Sequence, residues 1–411
     1  MLWALACLYT AQGIPFGFAV DYLPVVLREQ GYTYTAIAAL SWLQLPWQLK
    51  VLWAKAADHP RVRPHARYVL LALQLVLALT VAAFALRPLR VAPGLWFALT
   101  ALAAALAATQ DIFVDAFAVR ALREEDRGLG NTAQVGGYRV GMLLGGSALL
   151  LLVAHLGERA TLLACAGVVA AASLGAFAGR REAASGAEPS EPYREAAPRE
   201  PTPEAPPSSL FAMLRHVLHG ETWQVLVLAI TFKLGLHMAS VLLKPMAVDH
   251  GWTKERIGYA VVLFGSVGAL VGTSVGGVMH RKLGETRALW SALVLQALGC
   301  LPLVAVELTG SHDRALLTGA ILVEHFASGL GTTVLFAALM SATRPADAGL
   351  HYTTLTSANA VAIGVGGFLG GVVADAGGRL VAFLVAALVC LAPAVLLPSW
   401  TRAAAASRAS R

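Results

Sequence analysis

The sequence predicts an all-α polytopic membrane protein with twelve transmembrane helices. Of its 411 residues 57% are hydrophobic and only 13% are charged, which is too little charge for the surface of a water-soluble protein of this length. Apolar runs of roughly 20 residues, the length that crosses a bilayer at about 1.5 Å per residue, recur along almost the whole chain. Together these observations place the chain in a lipid bilayer.

The spans follow from cutting the chain at its charged and Pro- or Gly-rich loops. They cover residues 3–27, 36–56, 68–87, 93–119, 132–153, 160–178, 223–245, 256–279, 288–308, 315–340, 351–375 and 379–399. Lys and Arg are more frequent in the loops on the side of the two termini, which predicts that both termini are cytoplasmic. We expect a multi-pass protein of the bacterial cytoplasmic (inner) membrane.

The first span contains "GIPFGF" (Gly13–Phe18), and Pro and Gly inside a span predict a kinked or broken helix. The run lacks a charged leading region, so we expect a retained span and not a cleaved signal peptide. The net charge is +7, but the basic residues lie in short loops between apolar runs. This distribution is typical of the loops that orient a membrane protein and not of a nucleic-acid-binding surface. The four cysteines lie in apolar runs without close spacing, which indicates neither a disulfide nor a metal site.

The chain divides into two halves. Residues 179–222 are rich in Pro, Glu, Ser and Ala, so we expect a flexible cytoplasmic linker. It joins an N-terminal six-helix bundle (1–178) to a C-terminal one (223–400), and a cytoplasmic tail (401–411) follows. "LREQGYTYTAIA" aligns with "VDHGWTKERIG" at an offset of 220 residues. Two parallel six-span repeats predict the fold of a major facilitator transporter, with its substrate site between the halves.

Glycine-rich stretches in the second half predict close helix packing. "GSVGALVGTSVGG" (Gly265–Gly277) and "GVGGFLGG" (Gly364–Gly371) repeat small residues at the four-residue spacing that lets helix backbones approach. We interpret them mainly as packing surfaces, and sliding surfaces for a rocking motion are the alternative.

Ionisable side chains within the spans are candidates for function, because an unpaired charge in hydrocarbon is costly. In this architecture the first, fourth, seventh and tenth spans line the cavity. They carry Asp21, Asp111, Lys233, His237, Glu324 and His325. By residue count Lys233 and Glu324 lie near the midplane, and we predict that they bind substrate and couple protons, with a structural ion pair as the alternative. His237 and His325 are candidates for titration during transport.

Asp21 and Lys244 lie near the outer ends of their spans, where snorkelling of the side chain to the interface is the simpler interpretation.

A second cluster is predicted near the inner end of the fourth span. Asp111 and Asp115 share a helix face at i, i+4, roughly 12 and 6 Å deep. Arg139 in the fifth span and Lys50 in the second lie at similar depths, so we predict an ion pair of Arg139 with Asp111 and a network of two acids with two bases. A static network that fixes helix register, a cytoplasmic gate or proton relay, and direct substrate binding are all open interpretations.

The loop "KAADHPRVRPHAR" lies where major facilitator proteins carry an acidic residue and a basic run between the second and third spans. Asp58, Arg61 and Arg63 fit that pattern loosely.

Several segments together resemble one branch of the superfamily: "YTAQGIPFGF", "LPVVLREQG", "LPWQLKVLWAKAADH", "ATQDIFVDAFAVRAL", "DRGLGNTAQVGGYRVGMLLGG", "FKLGLHMAS" and "EHFASGLGTTVLFAALM". They are similar to AmpG-type muropeptide permeases, acetyl-CoA transporter-like proteins and related siderophore importers. The resemblance implies a proton-driven permease. The positions that match the family pattern are Gln110, Asp111, Asp115, Tyr138, Arg139, Lys233 and Gly235. The chain departs from that pattern at Ala54-Lys55, where a Pro often follows Trp, and in lacking extra C-terminal helices.

We therefore expect a monomeric secondary transporter, with no cofactor, that moves an organic anionic or amphiphilic solute together with protons by alternating access. The rival class is an intramembrane Mg²⁺-dependent prenyltransferase, suggested by the spacing of Asp111 and Asp115 but lacking a partner motif in the second half. A passive channel is the third possibility.

Overall fold

The structure is a computed structural model. It describes residues 2–53, 59–121, 127–173, 223–310, 313–342 and 348–397. All regular structure in these ranges is helical, which confirms the predicted all-α class. Asp58, the linker 179–222 and the tail 401–411 lie outside the described residues.

The first half contains six helical segments. They are α1 (Leu2–Glu29), α2 (residues 34–52), α3 (Ala66–Leu86), α4 (Pro93–Ala121), α5 (residues 127–156) and α6 (Glu158–Ala172). Thr33 begins α2 because its hydroxyl accepts a hydrogen bond from the backbone N–H of Ala36 at 3.2 Å. In α2 the turn Ala39–Gln44 is a 3-10 helix, so this segment is not a regular α-helix.

The second half repeats this order. Its segments are α7 (Trp223–Asp249), α8 (residues 254–283), α9 (Glu285–Thr309) and α10 (Arg314–Ala342), followed by α11 and α12, the parts of Ala348–Leu391 before and after Gly378. Gly378 has φ 84°, a left-handed conformation that suits glycine, and it turns the chain between the two helices. Thr253 begins α8 as Thr33 begins α2, which supports the predicted repeat.

Eight helices in the described part are long and apolar enough to cross a membrane, and one of them, Thr354–Leu396, contains the turn at Gly378. Three predicted spans fall outside this criterion. α2 and α8 contain 3-10 or π turns, and α6 is described over only 15 residues. The count of twelve spans stays a prediction at these three places.

Helices α1, α7 and α8, which contribute to the cavity wall, are interrupted, and only the interruption in α1 was predicted from the sequence. α1 continues through Pro15 and then forms a π-helical turn at Phe18–Tyr22, one turn later than expected. A second π turn occurs in α8 at Ala260–Gly265. α7 breaks between Thr231 and Leu234, so Lys233 lies in a turn and not in a regular helix.

Glycine brings several helix pairs into backbone contact. A Cβ atom placed on Gly272 of α8 would lie 2.0 Å from the carbonyl oxygen of Phe326 on α10, so only glycine fits there. A Cβ atom on Gly145 of α5 would lie equally close to the carbonyl of Ile14 on α1. The predicted packing role of the stretch Gly265–Gly277 therefore holds for its buried face.

Among the described residues the two halves contact each other mainly through three helix pairs: the ends of α1 and α7, then α2 with α11, and α5 with α8. These pairs leave a cavity between the halves.

Candidate functional site

The cavity between the halves has a volume of about 530 Å³ and is lined by side chains from both halves. Its ionisable lining residues are Asp21, Arg139, His237, Lys244, Glu324 and His325. These six side chains, four basic or histidine and two acidic, lie in a cavity wall that is otherwise mostly apolar. Five of the six were candidates from the sequence, and Lys244 is the addition.

Glu324 on α10 is buried, with only 3% of its side chain exposed, and it contacts the cavity. The hydroxyl of Ser240 on α7 donates a hydrogen bond to its carboxylate. Nδ1 of His325 lies 2.9 Å from its other oxygen. The same nitrogen lies 2.9 Å from the carbonyl of Ile321. A carboxylate held in this way joins α7 and α10 at the cavity wall.

Lys233 is also buried but it does not meet Glu324 directly. Its ammonium donates to the backbone carbonyl of Ser328 at 2.9 Å and to the Ser328 hydroxyl at 3.3 Å. Among the described residues no carboxylate lies within 4 Å of it, and it is not part of the cavity wall. The alternative interpretation, a structural ion pair of Lys233 with Glu324, is therefore not seen, because Lys233 contacts Ser328 of α10, one turn after Glu324. The predicted binding and coupling roles of the two residues stay predictions. His237 lines the cavity one turn after Lys233.

Asp21 and Lys244 form an ion pair across the two halves, and this corrects the interpretation that they snorkel to the interface. Lys244 Nζ lies 2.8 Å from Asp21 Oδ1, and each side chain is 13% exposed. The ammonium also donates to the carbonyl of Val20 at 3.1 Å. Counting residues gives a depth but not a helix face, and both of these side chains face inward.

At the opposite end of the bundle, near the start of α1, the structure brings Lys50, Asp111 and Asp115 together. Lys50 donates to Asp111, and its Nζ lies 3.8 Å from Asp115. Two further groups contact Asp115: the Tyr9 hydroxyl at 2.7 Å and Gln134 Nε2 at 3.3 Å. We call these five residues the Lys50 cluster. The sequence predicted the lysine and the two acids, and it missed Tyr9 and Gln134.

Arg139 does not join this cluster. Its side chain is exposed and lines the cavity, and within the described ranges no carboxylate lies within 4 Å of it. The expected pair of Arg139 with Asp111 is corrected, because Lys50 occupies that carboxylate while α5 presents Arg139 to the cavity. Tyr138 packs its ring on Phe16 with the centroids 5.7 Å apart. Gln110 donates to the carbonyl of Leu8 at 3.2 Å and so joins α4 to α1.

The loop motif between α2 and α3 remains a prediction. Asp58 is outside the described residues, and Arg61 is exposed in a turn. Arg63 begins a short 3-10 turn, Arg63–His65.

The halves are bridged by charges at the end of the bundle where α1 and α7 finish. Asp249 of α7 accepts two hydrogen bonds from Arg28 of α1, at 2.7 and 3.0 Å. It also accepts hydrogen bonds from the Tyr34 hydroxyl and from Arg379, whose Nε donates to Glu307 at 2.7 Å. One carboxylate therefore ties together α1, α2, α7 and α12.

Two more contacts reinforce this end. Asp375 of α11 accepts hydrogen bonds from the backbone N–H groups of Tyr34 and Thr35, at 2.9 and 2.7 Å, so it caps α2 from the other half. Lys254 Nζ lies 2.8 Å from Glu29. We call this region the bridged end, comprising Arg28, Glu29, Tyr34, Asp249, Lys254, Glu307, Asp375 and Arg379. The sequence missed its role, although the aligned repeat segments begin at these helix ends.

Comparison with known proteins identifies the family of this fold. The family model of the Major Facilitator Superfamily matches residues 5–322 and 225–410. The chain is 26% identical over 360 residues to the anhydromuropeptide permease of Escherichia coli, covering 85% of this chain and 70% of that one.

Solved structures share the fold. The chain is similar to a mutant of the nucleoside transporter NupG, with a TM-score of 0.70, 12% identity and coverage of 98% and 99% of the two chains. It is equally similar to an auto-inhibited peptide transporter of the POT family, with a TM-score of 0.70, 13% identity and coverage of 98% and 96%. The chain belongs to the Major Facilitator Superfamily, and it is a multi-pass membrane transporter and not an enzyme.

Proposed function

We propose that this transporter is a proton-coupled permease that moves an organic anionic or amphiphilic solute of the muropeptide class by alternating access. The observation that carries the proposal is the cavity wall, where Arg139, Lys244 and His237 lie together with the buried Glu324. The similarity to an anhydromuropeptide permease, whose length the chain covers to 70%, supports this solute class.

Basic side chains in the cavity favour a solute with negative groups, because a cation in a low-dielectric chamber attracts an anion more strongly than in water. The wall also includes apolar side chains such as Phe16, Leu40 and Val261, which suit the apolar part of an amphiphilic solute. Acyl-CoA-like compounds and siderophores share this combination and are the alternative solutes.

Glu324 is the candidate for the coupling proton. It is the most deeply buried carboxylate at the cavity, and its neighbours Ser240 and His325 can adjust their hydrogen bonds as the proton enters or leaves. Symport follows if the solute and the proton are released together when the cavity changes sides.

Two charged networks at opposite ends of the helix bundle suit alternating access. The bridged end holds the halves together on one side, and the Lys50 cluster joins α2 to α4 on the other. We infer that the bridged end faces outward and that both termini are cytoplasmic, in a monomer of the bacterial inner membrane.

The test is uptake of labelled anhydromuropeptide into proteoliposomes with an imposed pH gradient. The proposal predicts accumulation when the outside is acidic and none when the gradient is collapsed by a protonophore. Uptake that ignores the gradient contradicts proton coupling, and no uptake under any condition contradicts the solute class. A passive channel gives entry down the solute gradient alone.

A further inference from the structure

The ion pair of Asp21 with Lys244 is placed where a solute would meet it. Both residues line the cavity, and each belongs to a different half. On α1 Asp21 lies seven residues before Arg28, and on α7 Lys244 lies five residues before Asp249, which correspond to about 10 and 7.5 Å along the helix axes. The pair therefore lies inside the cavity, on the same two helices whose ends form the bridged end.

The backbone around Asp21 is also unusual. Asp21 belongs to the π-helical turn Phe18–Tyr22, and π turns within α-helices occur frequently at functional sites. The second π turn, Ala260–Gly265, also contributes to the cavity wall through Val261 and Gly265. Each half thus has one such turn at the cavity.

Among the described residues the ammonium of Lys244 has two hydrogen-bond acceptors. It contacts Asp21 Oδ1 at 2.8 Å and the Val20 carbonyl at 3.1 Å, and an ammonium has three N–H groups. Asp21 has a second anchor in its own half, because the Ser147 hydroxyl lies 3.5 Å from Oδ2. If the ammonium of Lys244 binds a different carboxylate, Asp21 still has the Ser147 hydroxyl nearby. The ion pair that links the two halves is then lost.

We propose that Lys244 binds a carboxylate of the transported solute and that Asp21 holds the same ammonium when the carrier is empty. The inference rests on the proposed function, because it assigns a binding residue for the anionic solute. Arrival of the solute exchanges one carboxylate for another at Lys244, so the ammonium stays paired while Asp21 is left with the Ser147 hydroxyl in its own half. It also releases α1 from α7 just below the bridged end, so that solute binding and opening of that end are linked.

The first experiment measures binding of an anhydromuropeptide and of its amidated analogue, in which the carboxylates are neutral amides, to the purified protein. We expect the wild-type protein to prefer the carboxylate form by about tenfold, the value of a charged hydrogen bond. Lys244→Gln should bind both forms equally, whereas Lys244→Arg, which retains the charge, should keep the preference. Lys282→Gln, an exposed lysine at the end of α8, is the matched control.

A preference that survives in Lys244→Gln overturns the inference. The inference is also overturned if the preference for the carboxylate form disappears in Arg139→Gln but remains in Lys244→Gln. The solute carboxylate would then bind Arg139. Lys244→Arg serves as the folding control: if it keeps the preference, loss of the preference in Lys244→Gln is not due to misfolding.

The second experiment needs no solute. Spin labels on Val91→Cys and Leu308→Cys, both 67% exposed and near the bridged end of different halves, report the distance between the halves there. Asp21→Asn and Lys244→Gln should each lengthen this distance, and the exchanged pair Asp21→Lys with Lys244→Asp should restore it. Unchanged distances in both single variants overturn the inference. If the wild-type protein binds no anhydromuropeptide, the proposed solute is wrong and these distances alone decide the link between the halves.

Discussion

Arg28 and Asp249 form a two-bond ion pair between the halves, with Nε 2.7 Å from Oδ1 and Nη2 3.0 Å from Oδ2. Paired hydrogen bonds of this kind fix geometry as well as charge, and the guanidinium of Arg28 also stacks 4.0 Å from the ring centroid of Tyr34. Asp249 also pairs with Arg379, so its carboxylate contacts three other residues of the bridged end, Arg28, Tyr34 and Arg379.

We predict that Asp249→Asn opens the bridged end more often. The substitution removes the charge shared by two guanidinium groups, so a thiol introduced into the cavity by Ser41→Cys should react several-fold faster with an impermeant maleimide added to intact cells. Glu255→Gln is the matched control, because Glu255 lies 3.8 Å from His155 in an exposed pair that contributes little. Equal labelling rates in the two variants would show that Asp249 does not hold this end closed.

A second prediction concerns the cap that Asp375 provides across the halves. In Asp375→Ala the N–H groups of Tyr34 and Thr35 lose their acceptor, so hydrogen exchange of the peptide that contains them should accelerate by about fivefold, as for a typical lost helix cap. Asp375→Asn retains an acceptor oxygen and should have a smaller effect. If Asp375→Ala exchanges at the wild-type rate, the cap does not stabilise the start of α2.

The fold and part of the site could be predicted from the sequence because they depend on composition and on depth. Apolar runs predicted the helices, and residue counts brought Lys50 to the level of Asp111, where the two are found paired. Depth does not specify which face of a helix a side chain occupies. For this reason we expected Arg139 to pair with Asp111, whereas it lines the cavity. We likewise expected Lys244 to reach the membrane interface, whereas it forms an ion pair with Asp21.

The bridged end was missed for a related reason. Charged residues at helix ends are common and are usually solvated, so neither Asp249 nor Arg379 stood out in the sequence. Their partners come from segments between 72 and 345 residues away in the sequence, and only the folded arrangement of the helices brings them together. The repeat gave a partial signal, because "LREQG" and "VDHG" are aligned at the ends of α1 and α7.

A third prediction separates two possible partners of Asp111. Lys50→Asp and Asp111→Lys should each reduce gradient-driven uptake by about tenfold, the value of a charged hydrogen bond, and the two together should recover part of it. The exchange of Asp111 with Arg139 should recover nothing. Recovery in the second exchange but not in the first would assign the pairing to Arg139 in the working protein.

The close contact of α8 with α10 gives a fourth prediction. Gly272→Ala forces a Cβ atom against the Phe326 carbonyl, so the melting temperature of the detergent-solubilised protein should fall, as for overpacking by about 1–3 kcal/mol. Gly277→Ala is the control, because it makes the same substitution in the same helix. Within 4 Å its Cβ atom would meet Thr333 Cγ2, at 3.9 Å. It should leave the melting temperature unchanged or raise it, since alanine is the better helix former. Equal losses in both variants would argue against packing as the cause.

The most direct test of the proposed mechanism is the behaviour of Glu324→Gln in proteoliposomes loaded with anhydromuropeptide. Glutamine keeps the size of the side chain and an acceptor for Ser240 but cannot exchange a proton. The account predicts that counterflow, in which external solute exchanges for internal solute, persists in this variant while accumulation driven by a pH gradient is lost. Gradient-driven accumulation at the wild-type level in Glu324→Gln would contradict the assignment of the coupling proton to Glu324.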